Sequence, residues 1–160
     1  MLRLAQISLI LLGLSIMSCD SDVPNGNNSP TLSYMGLEKE TMLQGDGTDS
    51  VVVALTFEDV DGDIGGVNAA NIIVTDNRDG SEYITLSFPE LPNNGKPQQG
   101  TLQLTLPNTC CIYPASANTP ACDRNPRFPR NRFTVDIVIE DLNGNRSNVI
   151  TTDSLTLNCF

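Results

Sequence analysis

Histidine is absent from the 160 residues, tryptophan is absent too, and basic side chains number only 9 against 19 acidic ones. Without an imidazole, the Ser-His-Asp and Cys-His arrangements, the usual general base at neutral pH and most zinc sites are excluded. An enzyme built on this chain would have to work with carboxylates. The formal charge of −10 repels nucleic acid and anionic lipid head groups and favours cationic partners or divalent metals. No nucleic-acid partner is expected. The apolar run from Leu4 to Met17, broken by Gln6 and a few serines, falls short of the roughly 20 residues of a membrane-spanning helix. No segment from Thr31 onward sustains a helical repeat, and the length suits one domain.

What is present begins with a short positive start, Met1-Leu2-Arg3, followed by the apolar run and Ser18-Cys19, which is the pattern of an export signal. Ile16-Met17-Ser18-Cys19 resembles the lipobox of bacterial lipoproteins: an aliphatic residue three places before a cysteine and a small residue directly before it. Met17 departs from the small or β-branched residue commonest at its place. The resemblance implies a signal peptide over 1–18 and acylation of Cys19, whose chains then hold the protein on a membrane at roughly 0.8 kcal/mol per buried methylene. An ordinary secretory signal is the alternative. Residues 19–30 comprise that cysteine and a polar tether rich in turn formers. Its acidic start resembles the surface-export signals of Bacteroidota lipoproteins, which favours the outer membrane or cell surface. An aspartate directly after the cysteine also resembles an inner-membrane retention signal of other bacteria.

Residues 31–160 show period-two patterning punctuated by turn residues. Seven strands are expected, at about 31–37, 51–58, 71–75, 82–88, 101–106, 132–140 and 147–157. Val51 to Phe57, apolar on both faces over its first half, suits a central strand. The last strand changes parity between Ile150 and Leu155, so a bulge or break is expected near Thr152-Asp153-Ser154. The pattern predicts an all-β, seven-stranded antiparallel β-sandwich of immunoglobulin-like or fibronectin type III-like character. The scarcity of aromatics departs from the antibody-like pattern. A hairpin across 76–81 would make the strand order resemble fibronectin type III. That resemblance implies that the turns after the second and sixth strands share the tether end, with a long insert at the other.

Glu58, Asp59, Asp61 and Asp63 crowd the turn after the second strand, and Asp141, Asn143 and Asn145 follow the sixth. Together they offer the six to eight oxygen ligands that calcium takes. Ile64 and Ala70 stand where an EF-hand loop needs glycine and glutamate, so an EF-hand is excluded. The motif resembles the aspartate-rich loops of cadherin-like and other extracellular β modules. The alternative is a solvated acidic loop without metal.

The insert, about 108–131, carries Cys110, Cys111 and Cys122, and Cys159 follows near the C-terminus. Four cysteines besides Cys19 in an exported chain read as disulfides. One of Cys110 and Cys111 is expected to bridge Cys122 and the other Cys159. A tetrathiolate zinc site has the ligand count but not the spacing. Tyr113, Arg124, Arg127, Phe128 and Arg130 form a possible patch for an anionic glycan or an envelope protein; the alternative is that these arginines neutralise nearby carboxylates.

The whole chain resembles small envelope lipoproteins of Bacteroidota. The expected function is a non-enzymatic, calcium-stabilised binding or adhesion module anchored to a membrane. A structural or accessory subunit of an envelope complex is the alternative, and a carboxylate-based hydrolase ranks behind both.

Overall fold

The computed structural model describes residues 28–45, 47–65, 70–91 and 96–160. The expected export signal, Cys19 and most of the expected tether lie outside these residues. The protein is all-β. Its strands are β1 (Thr31–Leu37), β2 (Thr41–Leu43), β3 (Ser50–Asp59), β4 (Ala70–Asp76), β5 (Glu82–Ser87), β6 (Gln98–Pro107), β7 (Arg130–Phe133), β8 (Val135–Ile139), β9 (Ile150–Thr151) and β10 (Leu155–Asn158). Among the described residues the one helical element is a short 3-10 turn, Ala115–Ala117, and no helix is long and apolar enough to cross a membrane.

β3 is the centre of the first sheet, antiparallel to β1 on one side and to β6 on the other. Val51, Val53, Leu55 and Phe57 point inward, while Val52, Ala54 and Thr56 are half-buried on the other face. That second face explains why the strand reads as apolar on both sides. The inward row of β6, Leu102, Leu104 and Leu106, joins it. These rows meet those of a second antiparallel sheet, ordered β5-β4-β8-β9, whose Ile72, Val74, Val135, Ile137 and Ile139 belong to the same core cluster. Each such aliphatic side chain contributes roughly 1.5–3 kcal/mol on burial, so the sandwich-like core dominates the stability.

A third sheet, ordered β2-β10-β7, accounts for most of the difference from the expected seven strands. β2 runs parallel to β10, with Met42 opposite Leu157, and is the exception to the antiparallel pattern. Met42 is its sole buried side chain, so three residues left no periodic signal. The expected strand 132–140 divides at Thr134, whose carbonyl accepts a hydrogen bond from the Asn77 backbone at 3.1 Å. The last strand breaks at 152–154, as its parity change requires. There Thr152 turns inward, donating its N–H to the Val135 carbonyl (3.0 Å) and accepting the Val135 N–H on its hydroxyl (3.2 Å). Two divisions and one short addition turn seven strands into ten.

The register fixes two poles. Thr31, which follows the expected tether, pairs with Glu58 at the end of β3, and the Leu142 N–H reaches the Asp63 carbonyl at 3.2 Å. The acidic turn and the turn after β8 therefore share the tether end. Ser50 pairs with Pro107 at the other end, from which the insert departs beside Cys159. A ten-residue strand separates the two poles by about 33 Å.

Candidate functional site

At the tether pole, strand alternation sends Asp59 inward, 1 % exposed, and leaves its neighbour Glu58 exposed on the outer face. Asp59 Oδ2 accepts the backbone N–H groups of Asp63 and Ile64, both at 2.8 Å, which folds the turn back over the end of β3. Ile64 is buried in the core and anchors that turn. Gly62 has φ +71°, and a Cβ there would come within 2.0 Å of the Lys96 carbonyl oxygen, so no other residue fits.

This turn brings one carboxylate oxygen from each of Asp59, Asp61 and Asp63 within 4.8 Å of one another. Oδ1 of all three is buried and has no hydrogen-bond partner. At such separations and an effective dielectric of about 20, each pair of full charges repels by roughly 3–4 kcal/mol. Burial, followed by the charges of Asp141, Asp61 and Asp59, pushes the Asp63 carboxyl up to about 6. Asp59 is raised as well, first by burial and then by Asp61. The cluster can hold a cation: its donors are hard oxygens, suited to calcium or magnesium rather than to softer metals.

The second turn contributes differently. Asp141 Oδ1 accepts the backbone N–H groups of Asn143 (2.9 Å) and Asn145 (2.8 Å), and its Oδ2 accepts the Asn145 side-chain amide (2.8 Å). Its oxygens are thus spent on its own turn, while its charge acts on Asp63. The Asn143 amide donates to Asp63 Oδ2. Of the seven residues nominated at this end, three form the cluster, Asn143 touches it, Asp141 and Asn145 brace the adjoining turn, and Glu58 faces away.

At the far pole, Cys110 bridges Cys122 and Cys111 bridges Cys159, with Cα separations of 4.6 and 5.9 Å. The four sulfurs are drawn into two pairs, not a tetrathiolate cage. Cys111 and Cys159 are fully buried. Tyr113 and Phe128 rings lie 6.1 Å apart, and the Tyr113 hydroxyl donates to the Asp123 carbonyl at 2.6 Å.

Arg124, Arg127, Arg130 and Arg132 are exposed. The ion pairs among the described residues are Lys39–Asp49, Arg78–Asp76 and Arg146–Glu140, so none of these four arginines is neutralised by a described carboxylate. Among the described residues, these arginines form no ion pair with an acid.

Arg78 was not singled out by sequence reasoning. It folds back from the β4–β5 hairpin onto Asp76, donates to the Cys110 carbonyl (3.0 Å) and Asn131 Oδ1 (3.2 Å), and lies 4.4 Å from the centre of the Phe133 ring. It pins hairpin, insert and β7 together. The turn sequence Asp76-Asn77-Arg78 contains the ion pair, but nothing in it says that the arginine points inward.

No protein-family model matches this chain, and neither a curated protein nor a solved structure matches it.

Proposed function

We propose that this protein is a lipid-anchored module of the bacterial envelope that binds rather than catalyses, held by acyl chains on Cys19 at the outer membrane or cell surface. Calcium stiffens it at the tether end. The observation that carries the calcium reading is the convergence of three buried carboxylate oxygens without a donor. A buried polar group left unpaired is costly, and three of like charge more so, unless a cation joins them. Protein ligands would come from Asp59, Asp61 and Asp63, with Asn143 adding a fourth once a half-turn of its amide presents Oδ1 and water filling the remaining places.

The fold reading is immunoglobulin-like, nearest fibronectin type III. It is supported by the order β1-β3-β6 against β5-β4-β8-β9 and by the β4–β5 hairpin. The two disulfides support an oxidising compartment. The lipobox resemblance supplies the anchor.

Thermal melting of the full chain with 1 mM calcium and with excess chelator tests the calcium reading. A site with a dissociation constant about a hundredfold below the calcium concentration adds roughly 2.7 kcal/mol of stability. Identical melting curves under the two conditions would remove calcium from the account. Intact mass of the membrane-extracted protein tests the anchor: the expected species begins at Cys19 and carries acyl chains, and a chain retaining residues 1–18 without them defeats it.

A further inference from the structure

We infer that the insert at the tether-distal pole is a docking surface for an anionic polysaccharide, engaged by Arg124 and Arg127 beside the cleft that Tyr113, Asn118 and Thr119 line. The inference rests on the binding-module reading above and names the ligand class. From Asn108 to Arg132 the chain carries four arginines and one carboxylate, Asp123, within a protein of net charge −10. All four guanidinium groups are exposed, and no described carboxylate pairs with them.

Two of them have a local purpose. Arg130 and Arg132 project from β7, the terminal strand of its sheet, where exposed charge discourages edge-to-edge pairing. Arg124 and Arg127 sit in the loop, with no edge to protect. Both are fastened to the cleft by their neighbours. On one side of Arg124, the Asp123 carbonyl accepts the Tyr113 hydroxyl at 2.6 Å; on the other, the Asn125 amide donates to Thr119 Oγ1 at 2.6 Å. Asn125 Oδ1 also accepts the Arg127 N–H at 2.9 Å, and Phe128 packs on Tyr113. The Cys110–Cys122 bridge closes the segment that lines the cleft, and Arg124 and Arg127 follow it on backbone tied down by these hydrogen bonds, so little backbone freedom remains to be lost on binding.

The cleft has a volume of about 230 Å³ and is lined by Tyr113, Pro114, Ala115, Asn118, Thr119 and Pro120. The flat Tyr113 ring beside amide and hydroxyl groups suits a sugar ring, and guanidinium groups suit its carboxylate or sulfate substituents. Two arginines three positions apart favour a chain with repeated charges over a single compact anion. A bilayer is disfavoured because the insert lies a full strand away from the tether. The acidity of the rest of the chain repels every polyanion alike, so the lining decides: one aromatic ring, Tyr113, with amide and hydroxyl groups beside it suits a sugar chain rather than the stacking of successive bases.

Affinity electrophoresis of the full chain through gels containing dextran, carboxymethyl dextran or dextran sulfate tests the inference on one polymer backbone. Retardation by the two charged polymers and not by dextran is expected. Arg124→Gln with Arg127→Gln should weaken it about tenfold through loss of two exposed charge-assisted contacts, with the melting temperature unchanged. No retardation by the charged polymers, or equal retardation of variant and parent, overturns the inference. So does tighter binding to anionic lipid vesicles or to single-stranded DNA. Binding to dextran that the variant retains also overturns it while leaving the binding-module reading in place, and the calcium-dependent melt is independent of either result.

Discussion

At the far pole, loops are closed by two disulfides and a largely buried arginine that reaches the hairpin, the insert and β7; at the near pole, beside Thr31, loops meet through three aspartates whose inner oxygens find no donor. The far pole is complete as it stands. The near pole gathers like charge around unpaired oxygens, so its stability should vary with pH and, on the calcium reading, with the metal that the solution supplies. On that reading one end is set once, when its disulfides form, and the other is left to respond to its surroundings.

The largest test of that contrast cuts the covalent pole. In the loop-closure account, removing Cys111–Cys159, which spans 48 residues, costs about 4 kcal/mol, and removing Cys110–Cys122, which spans 12, costs about 3 kcal/mol or less. Burial of Cys111 and Cys159 widens the gap, since their serine replacements leave hydroxyls in the core. Urea denaturation of the two paired Cys→Ser variants measures it. If the short bridge proves the costlier, the far pole is not held mainly by its tie to the C-terminus.

Next comes Arg78, the non-covalent fastening of the same pole. Its side chain and that of Asp76 are 10 % and 6 % exposed, so replacing Arg78 by Met strands a buried carboxylate and two further acceptors, Cys110 O and Asn131 Oδ1. A loss of about 3 kcal/mol is expected, with part of it recovered when Asp76→Asn is added. A loss of under about 0.5 kcal/mol, the range of exposed pairs, would mean that the disulfides alone hold the insert.

How far the chain itself disclosed this contrast depends on range. Alternation in β3, β6 and β8 exposes the core because its period is local, and the break near Thr152 follows from a parity change within six residues. β2 escaped because one buried methionine makes no period, and its parallel partner lies more than 100 positions away. At the acidic turn the aspartates were legible as a group. The parity of β3 also held the information that Glu58 and Asp59 point to opposite faces, so Glu58 could have been set aside from alternation alone. The roles of Asp141 and Asn145 were not legible, because a carboxylate that caps its own turn and one whose buried oxygen is left without a donor have the same spelling. Arg78 was hidden for the same reason: its partners Cys110 and Asn131 are 32 and 53 positions distant.

The smallest effect addresses the near pole and is distinguished by its sign. In the metal-free protein the Asp63 carboxyl is raised from 3.8 to about 6, mainly by burial and then by the charges of Asp141, Asp61 and Asp59. A folded-state value above the unfolded one means that the folded protein holds its proton longer, so the stabilisation is full below 3.8 and is lost as pH rises through about 6. Asp59 is shifted in the same direction. Melting of the chelated protein should therefore fall between about pH 4 and pH 6, by an amount on the order of 1 kcal/mol once solvent screening is allowed for. Calcium should reverse the slope, since it binds the ionised carboxylates and competes with the proton. Asp61→Asn removes a neighbouring charge without touching the backbone acceptors of Asp59, so it should flatten the metal-free slope, raise metal-free stability near pH 7 and abolish the calcium response. The paired Cys110/Cys122 variant, altered only at the other pole, should keep the parent's slope; if it also flattens, the pH response is not confined to the carboxylate cluster and the two poles are coupled through the core.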